Sequence, residues 1–213
     1  MKNLALASLI LSLVLLGCTA IRPPGLKKCR EEILDTTLIR SPYKDGFGKM
    51  LFKTSMTVRT ERLTGLMLFK KMPDSSIQVV FTNEIGMTFF NFILRKDSFE
   101  TGYCFEPMNK KALIAMFRTC FELMLNYEAD PKGRMLLCDP VKGNTAIGGR
   151  WGRYYTWSGV AQGDERKEFI NGMSNLADKT LLTFTDFSGD LPKSVTILNP
   201  FINLRIRLQM ISF

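Results

Sequence analysis

Five cysteines, several adjacent carboxylates and no histidine are the residues from which any chemistry would have to be built. Without histidine, neither a Ser-His-Asp nor a Cys-His nucleophile can be assembled, and no His-ligated metal site exists. No G-x-S-x-G occurs, and Gly148-Gly149-Arg150-Trp151-Gly152 lacks the strand-to-helix context of a phosphate-cradling loop. Asp186-Phe187-Ser188-Gly189-Asp190 has a faint calcium-loop look, but its Gly-Asp pair between apolar stretches fits a β-turn better. Glu31-Glu32 and Asp164-Glu165 lie on polar stretches, as solvated carboxylates do. The expectation is therefore no catalytic residue, no metal, no cofactor and no enzymatic activity. Cys29, Cys104, Cys120 and Cys138 show no C-x-x-C, so one disulfide is compatible with them, none is required, and the pairing stays open.

Cys18 is different, because of what precedes it. Lys2 is the only charge before Arg22, and Leu4 to Leu16 form an almost unbroken apolar run, the layout of a secretory signal. A spanning helix needs roughly 20 apolar residues, so this run is too short to stay in a membrane. An A-x-A-like cleavage site is absent. Instead Leu15-Leu16-Gly17-Cys18 resembles the lipobox of bacterial lipoproteins. That resemblance implies removal of residues 1–17 and acylation of Cys18; the alternative is a cleaved signal followed by an incidental cysteine. Several acyl chains on one residue make a stable anchor, since each buried CH₂ contributes about 0.8 kcal/mol. Thr19 to Lys28 contains Pro23-Pro24-Gly25 and no acidic residue, so residues 18–45 read as a lipidated N-terminus and tether. In lipoprotein sorting, acidic residues just after the cysteine mark inner-membrane retention or export. Thr19-Ala20 resembles neither, which implies the periplasmic face of the outer membrane.

Without Lys2 the chain carries 28 Lys and Arg against 20 Asp and Glu, formally +8. In an exported chain this balance points to anionic lipid surfaces rather than nucleic acid, or simply to solubility. Residues 46–213 are enough for one domain with a sizeable core.

Period-two alternation dominates that domain. Met50, Phe52, Thr54, Met56 and Val58 share one face opposite Lys53, Ser55 and Thr57. Ile202, Leu204, Ile206, Leu208 and Met210 alternate with Asn203, Arg205, Arg207 and Gln209. Further strands are expected near 63–70, 76–82, 87–95, 98–105, 134–138, 151–161, 165–170, 179–187 and 193–198. Pro73-Asp74, Gly189-Asp190 and Asn199-Pro200 supply turns between them. Such spacing predicts a curved antiparallel sheet of about ten to eleven strands. The 63–70 and 87–95 strands are apolar on both faces, so each must be covered twice or must face a cavity or membrane.

One segment changes period. Between Asn109 and Asn126, Leu113, Met116, Phe117, Cys120, Phe121 and Met124 recur at three- and four-residue steps, opposite Lys111, Arg118 and Glu122. This predicts an amphipathic helix, with Asn109 as N-cap, lying over the concave side of the sheet. Either helix and sheet close into a filled core, or they leave a lipid-sized groove with flexible methionines in its wall.

This order of elements resembles the LolA/LolB lipoprotein-localisation fold, a half-open β-barrel with a helical lid over an acyl-chain cavity. The sharpest match is FTNEIGMTFFNF, residues 81–92, which resembles the strand, Asn-Pro-Leu-Gly-like loop and strand of LolB-type proteins. Residues 191–211, LPKSVTILNPFINLRIRLQMI, resemble the final strands of that superfamily. Glu84 stands where the family usually has proline, and the tryptophan-containing stretch after the family's helix is not recognisable. The resemblance implies a membrane-inserting loop of Glu84, Ile85 and Gly86, with Ile85 as the apolar tip. The alternative for Ile85 is packing back onto Phe81 or Met87. The implied acyl cavity is lined by Leu66, Phe90, Phe92, Leu113, Met116 and Phe117. The implied partners are acylated lipoproteins, a periplasmic LolA-like carrier and the membrane, with no nucleic acid, for a monomer that binds acyl chains and aids lipoprotein insertion. An envelope lipoprotein that binds another lipid, or scaffolds assembly, is the alternative.

Overall fold

The computed structural model describes residues 27–28, 43, 47–95, 98–125, 135–138, 145–148, 153–162, 165–175, 179–189 and 191–212; for 27–28 and between 135 and 175 the description is of backbone. Cys18 lies outside the described residues. Thirteen strands follow in chain order: β1 (Lys27–Lys28), β2 (Lys49–Val58), β3 (Glu61–Lys71), β4 (Ile77–Thr82), β5 (Thr88–Leu94), β6 (Phe99–Cys104), β7 (Met135–Cys138), β8 (Thr145–Gly148), β9 (Arg153–Gln162), β10 (Glu165–Asn175), β11 (Thr180–Ser188), β12 (Leu191–Asn199) and β13 (Leu204–Ser212). A 3₁₀ turn, Glu106–Met108, and one α-helix, α1 (Lys111–Leu125), separate β6 from β7.

The strands form one sheet in the order β1-β7-β8-β9-β10-β11-β12-β13-β2-β3-β4-β5-β6. Every neighbouring pair is antiparallel, and the edges β1 and β6 do not meet, so the sheet is not closed. Among the described residues, the mainly β character with one helix is as the sequence predicts. The strand number exceeds the expected ten to eleven because β1 and β8, of two and four residues, are too short to display alternation. Side chains are described for the contiguous block of eight strands from β11 through β13 and β2 to β6.

Alternation sets the inside of that block. Met50, Phe52, Thr54 and Met56 of β2 are buried, as are Val79 and Phe81 of β4, Val195 and Ile197 of β12, and Leu204, Ile206 and Leu208 of β13. Tyr43 joins them from the segment read as tether: it is fully buried between Phe52 and Phe184, and its hydroxyl donates to the Pro192 carbonyl at 3.0 Å. Burial pushes that hydroxyl's pKa far up, so it stays a donor.

The two strands with two apolar faces resolve differently. In β5 a register shift next to Phe81 breaks the alternation, and Phe89 and Phe90 are both buried. A β-bulge of this kind re-aims one side chain; Phe89 packs on Phe81 and Phe105, with ring centroids 5.1 and 6.1 Å away. In β3 the alternation holds: Met67 and Phe69 point in, Leu66 and Leu68 out. Gly65 permits β4 to approach, since a Cβ there would lie 1.8 Å from the Thr82 carbonyl oxygen.

Helix α1 begins at Lys111, and the Ile114 amide donates to the Lys110 carbonyl. Asn109 is therefore not the N-cap. It closes the preceding 3₁₀ turn, its amide reaching the Phe105 and Glu106 carbonyls. The first half of α1 is half-exposed, whereas Cys120 to Leu125 are all buried. Glu122 is carried inside with it and accepts from Arg118 Nε at 2.6 Å.

Candidate functional site

Two regions hold the residues singled out by sequence. The first lies between α1 and the inner face of β5. Phe90 and Phe92 stack at 4.5 Å, and Phe117 of the helix meets them at 5.1 and 5.9 Å. Phe121 stacks on Phe117 and meets Phe69 edge-on. All five rings are fully buried. Phe90, Phe92 and Phe117 are thus brought together, as an apolar lining requires, and at this end they pack ring on ring.

Met116 is turned toward a different neighbour. Its sulfur accepts from Asn199 Nδ2 at 3.0 Å and from Thr180 Oγ1 at 3.4 Å, tying α1 to the end of β12 and the start of β11. Leu113 is half-buried against the same core. Leu66 does not belong with them: it is 38 % exposed on the outer face of β3, because odd-numbered residues of that strand face inward. The inner wall here also holds Met50, Met56, Met67 and Met124, all fully buried. These unbranched side chains refit to a new shape at low cost. Neither Cys104 nor Cys120 is in a disulfide, and burial pushes the Cys104 pKa up, which keeps that thiol protonated and unreactive.

The second region is the turn between β4 and β5. The Gly86 amide donates to the Asn83 carbonyl at 3.1 Å, and Gly86 sits at φ +87°, where an L side chain is disfavoured. The Asn83 side-chain oxygen accepts from the Ile85 and Met87 amides at 3.1 and 2.8 Å, and the Asn83 amide donates to the Met87 carbonyl at 2.9 Å. This net fixes Glu84, Ile85 and Gly86 as a short rigid tip. Ile85 at its apex is 90 % exposed and does not fold back onto Phe81 or Met87.

A matching residue, missed from sequence, is Phe201. It is 80 % exposed in the turn between β12 and β13, at the same end of the sheet as Ile85. Asn199 holds this turn as Asn83 holds the other, accepting from the Phe201 and Ile202 amides at 3.0 and 3.3 Å. The signal was present in Asn199-Pro200-Phe201: a bulky apolar residue inside a turn has no core to enter.

No protein-family model and no curated protein matches this chain. Its function must be argued from these residues. Among the described residues no three His, Cys, Asp or Glu gather to hold a metal, and no helix is long and apolar enough to cross a membrane.

Proposed function

We propose that this chain is an outer-membrane lipoprotein of the LolB kind, anchored through Cys18. In this reading it is a half-open β-barrel that takes acyl chains of other lipoproteins between α1 and the concave sheet, receiving them from a LolA-like carrier. The observation that supports it best is Ile85, 90 % exposed on a turn whose backbone is tied down by four hydrogen bonds. Burying an isoleucine in acyl chains is favourable by roughly 1.5–3 kcal/mol. Beside a lipid anchor that is too little to matter for attachment, and enough to perturb the bilayer locally during hand-over. Transfer needs no catalytic group, because at about 0.8 kcal/mol per CH₂ a better-fitting cavity draws the chain from a poorer one.

Acyl chains would enter from the side left open between β6 and β1, displacing methionines rather than opening the phenylalanine stack. The test joins two variants. Met116→Trp should abolish binding of a fluorescent fatty acid while the fold persists. Ile85→Glu should retain that binding and impair transfer of lipoproteins from carrier to membrane. Unfolding by Ile85→Glu, or fatty-acid binding indifferent to Met116→Trp, overturns the reading.

The tight stack of Phe90, Phe92 and Phe117 favours a second reading, in which the interior is filled and the protein scaffolds envelope assembly. Recovery of the membrane-purified chain with no acylated protein or lipid in its interior would decide for it.

A further inference from the structure

The outer face of the sheet carries a second concavity, away from α1. A groove of about 460 Å³ crosses β12, β13, β2 and β3, and Glu84 of the β4–β5 turn forms one end of it. Its walls present Lys53, Arg62 and Arg207 among the hydroxyls of Ser55, Thr64 and Thr196. Pairing explains why these gather. Thr196 faces Arg207, Arg207 faces Ser55, and Ser55 faces Thr64, so one row of the pleat runs through all four strands. Lys53 and Arg62 lie on the two neighbouring rows.

None of the three cations has an ion-pair partner among the described residues. Lys49, Lys70 and Arg205 share their face, and β2, β3 and β13 place no acidic side chain between them on it. The carboxylates at the margin of the groove are Glu84 and Asp186 of β11, which accepts from the lining residues Ser194 and Gln209 at 3.5 and 3.4 Å. Like charges set side by side on one sheet face repel, and nothing within these strands offsets it. An anion with several acceptor oxygens does, and the hydroxyls complete its coordination. Elsewhere the fold does pair its surface charges: Arg95 meets both Asp74 and Glu100.

We infer that this groove receives the phosphate of an anionic phospholipid headgroup, docking the outer face of β13, β2 and β3 on a bilayer surface. Its position names the occupant. The groove ends at Glu84, one residue from the exposed Ile85, so an apolar tip and a phosphate site adjoin, as a bilayer's acyl layer and headgroups do. A free phosphate or a nucleic acid gives Ile85 nothing to enter. The inference rests on the membrane role proposed for Ile85, but vesicle charge preference is measured apart from acyl uptake, so either can fail alone.

The experiment uses the full chain carrying Cys18→Ser, which removes any acyl anchor, and vesicles of phosphatidylcholine with or without phosphatidylglycerol. The readout is the ratio of binding to the two, which cancels contributions indifferent to charge. Lys53→Gln, Arg62→Gln and Arg207→Gln should each lower this ratio about five-fold. Lys70→Gln, on the same face at the far end of β3, should change it less than about two-fold. Glu84→Gln should raise it, an outcome no folding defect imitates. Salt of about 1 M should bring the ratio close to one. Three results overturn the inference: a ratio near one at low salt, an equal loss with Lys70→Gln, or displacement from vesicles by free glycerophosphate or by RNA.

Discussion

The two ends of β4 are closed by turns of the same construction and opposite character. At its start, the Asp74 carboxylate accepts from the Ser76 amide at 3.1 Å and from the Ser76 hydroxyl at 2.6 Å. It also pairs with Arg95 across the sheet. At its end, Asn83 accepts from the Ile85 and Met87 amides in the same manner. The first turn presents Asp74 and Ser75 to water; the second presents Ile85 and Met87 beside Glu84. A side-chain oxygen two residues upstream is therefore all that such a turn needs, and an exposed isoleucine is no requirement of it. On the function proposed above, the difference lies in what each turn meets outside the fold.

The largest effect should come from the seat of the second turn. Gly65→Ala places a methyl 1.8 Å from the Thr82 carbonyl oxygen and 2.8 Å from the Asn83 Cα. Backbone cannot yield as a side-chain tip does, so β4 must separate from β3 where the turn begins. Urea denaturation should give a loss of about 3 kcal/mol. Wild-type stability would mean that β4 is seated elsewhere.

Asn83→Ala comes next. It leaves the Ile85 and Met87 amides to water, which an exposed turn tolerates, so the cost should be about 1 kcal/mol by the same measurement. Faster amide exchange at 84–87, with β3 unaffected, should accompany it. Exchange spreading through β3 would show that the turn is part of the core's cooperative unit.

How far these features could be read from residue order varies with the physical cause. Strands β2 and β13 were legible to within two residues because inner and outer faces differ in polarity, and α1 because its period changes. The inward parity of β3 was not, since Leu66, Met67, Leu68 and Phe69 are apolar on both sides and the choice is made by pairing with β2 and β4. Nor was the bulge that buries both Phe89 and Phe90, which depends on register with Phe81. Tyr43 bonds a carbonyl 149 residues away, and nothing local announces it. Of the sites, the Ile85 turn was legible because Asn and Gly at fixed offsets define it. The outer groove was not, because its cations come from strands that only the sheet order brings together.

The polar turn has a pH signature. Hydrogen bonds from Ser76 and the Arg95 guanidinium hold the Asp74 carboxyl at about 2, below its ordinary 3.8. A carboxylate lowered in the folded state contributes stability that is complete above 3.8 and is lost as pH falls through about 2. The group is solvent-exposed, so its share is small. Asp74→Asn should therefore lower the melting temperature slightly at neutral pH, and the gap from wild type should close on acidification between those two values. A gap that persists in strong acid would assign the difference to the lost hydrogen-bond geometry instead of the charge.

The smallest change in stability should come from making the second turn resemble the first. Ile85→Ser removes the apex side chain and leaves every bond of the Asn83 net, all of which involve backbone groups and the Asn83 oxygen. At 90 % exposure Ile85 loses almost no packing, so denaturation should agree with wild type to within about 0.5 kcal/mol. Isolated apolar residues on a surface are ordinary, and stability alone gives no reason for this one. On the function proposed above, the contrast appears at a membrane. Transfer of an acylated protein into vesicles should slow in Ile85→Ser, and Ile85→Leu, which keeps the apolar volume, should restore it. Phe201→Ser supplies the internal comparison: an equal defect assigns the membrane to the whole end of the sheet, and none confines it to the β4–β5 turn. Unimpaired transfer by Ile85→Ser would leave the two turns of β4 equivalent, and the apolar tip without a partner.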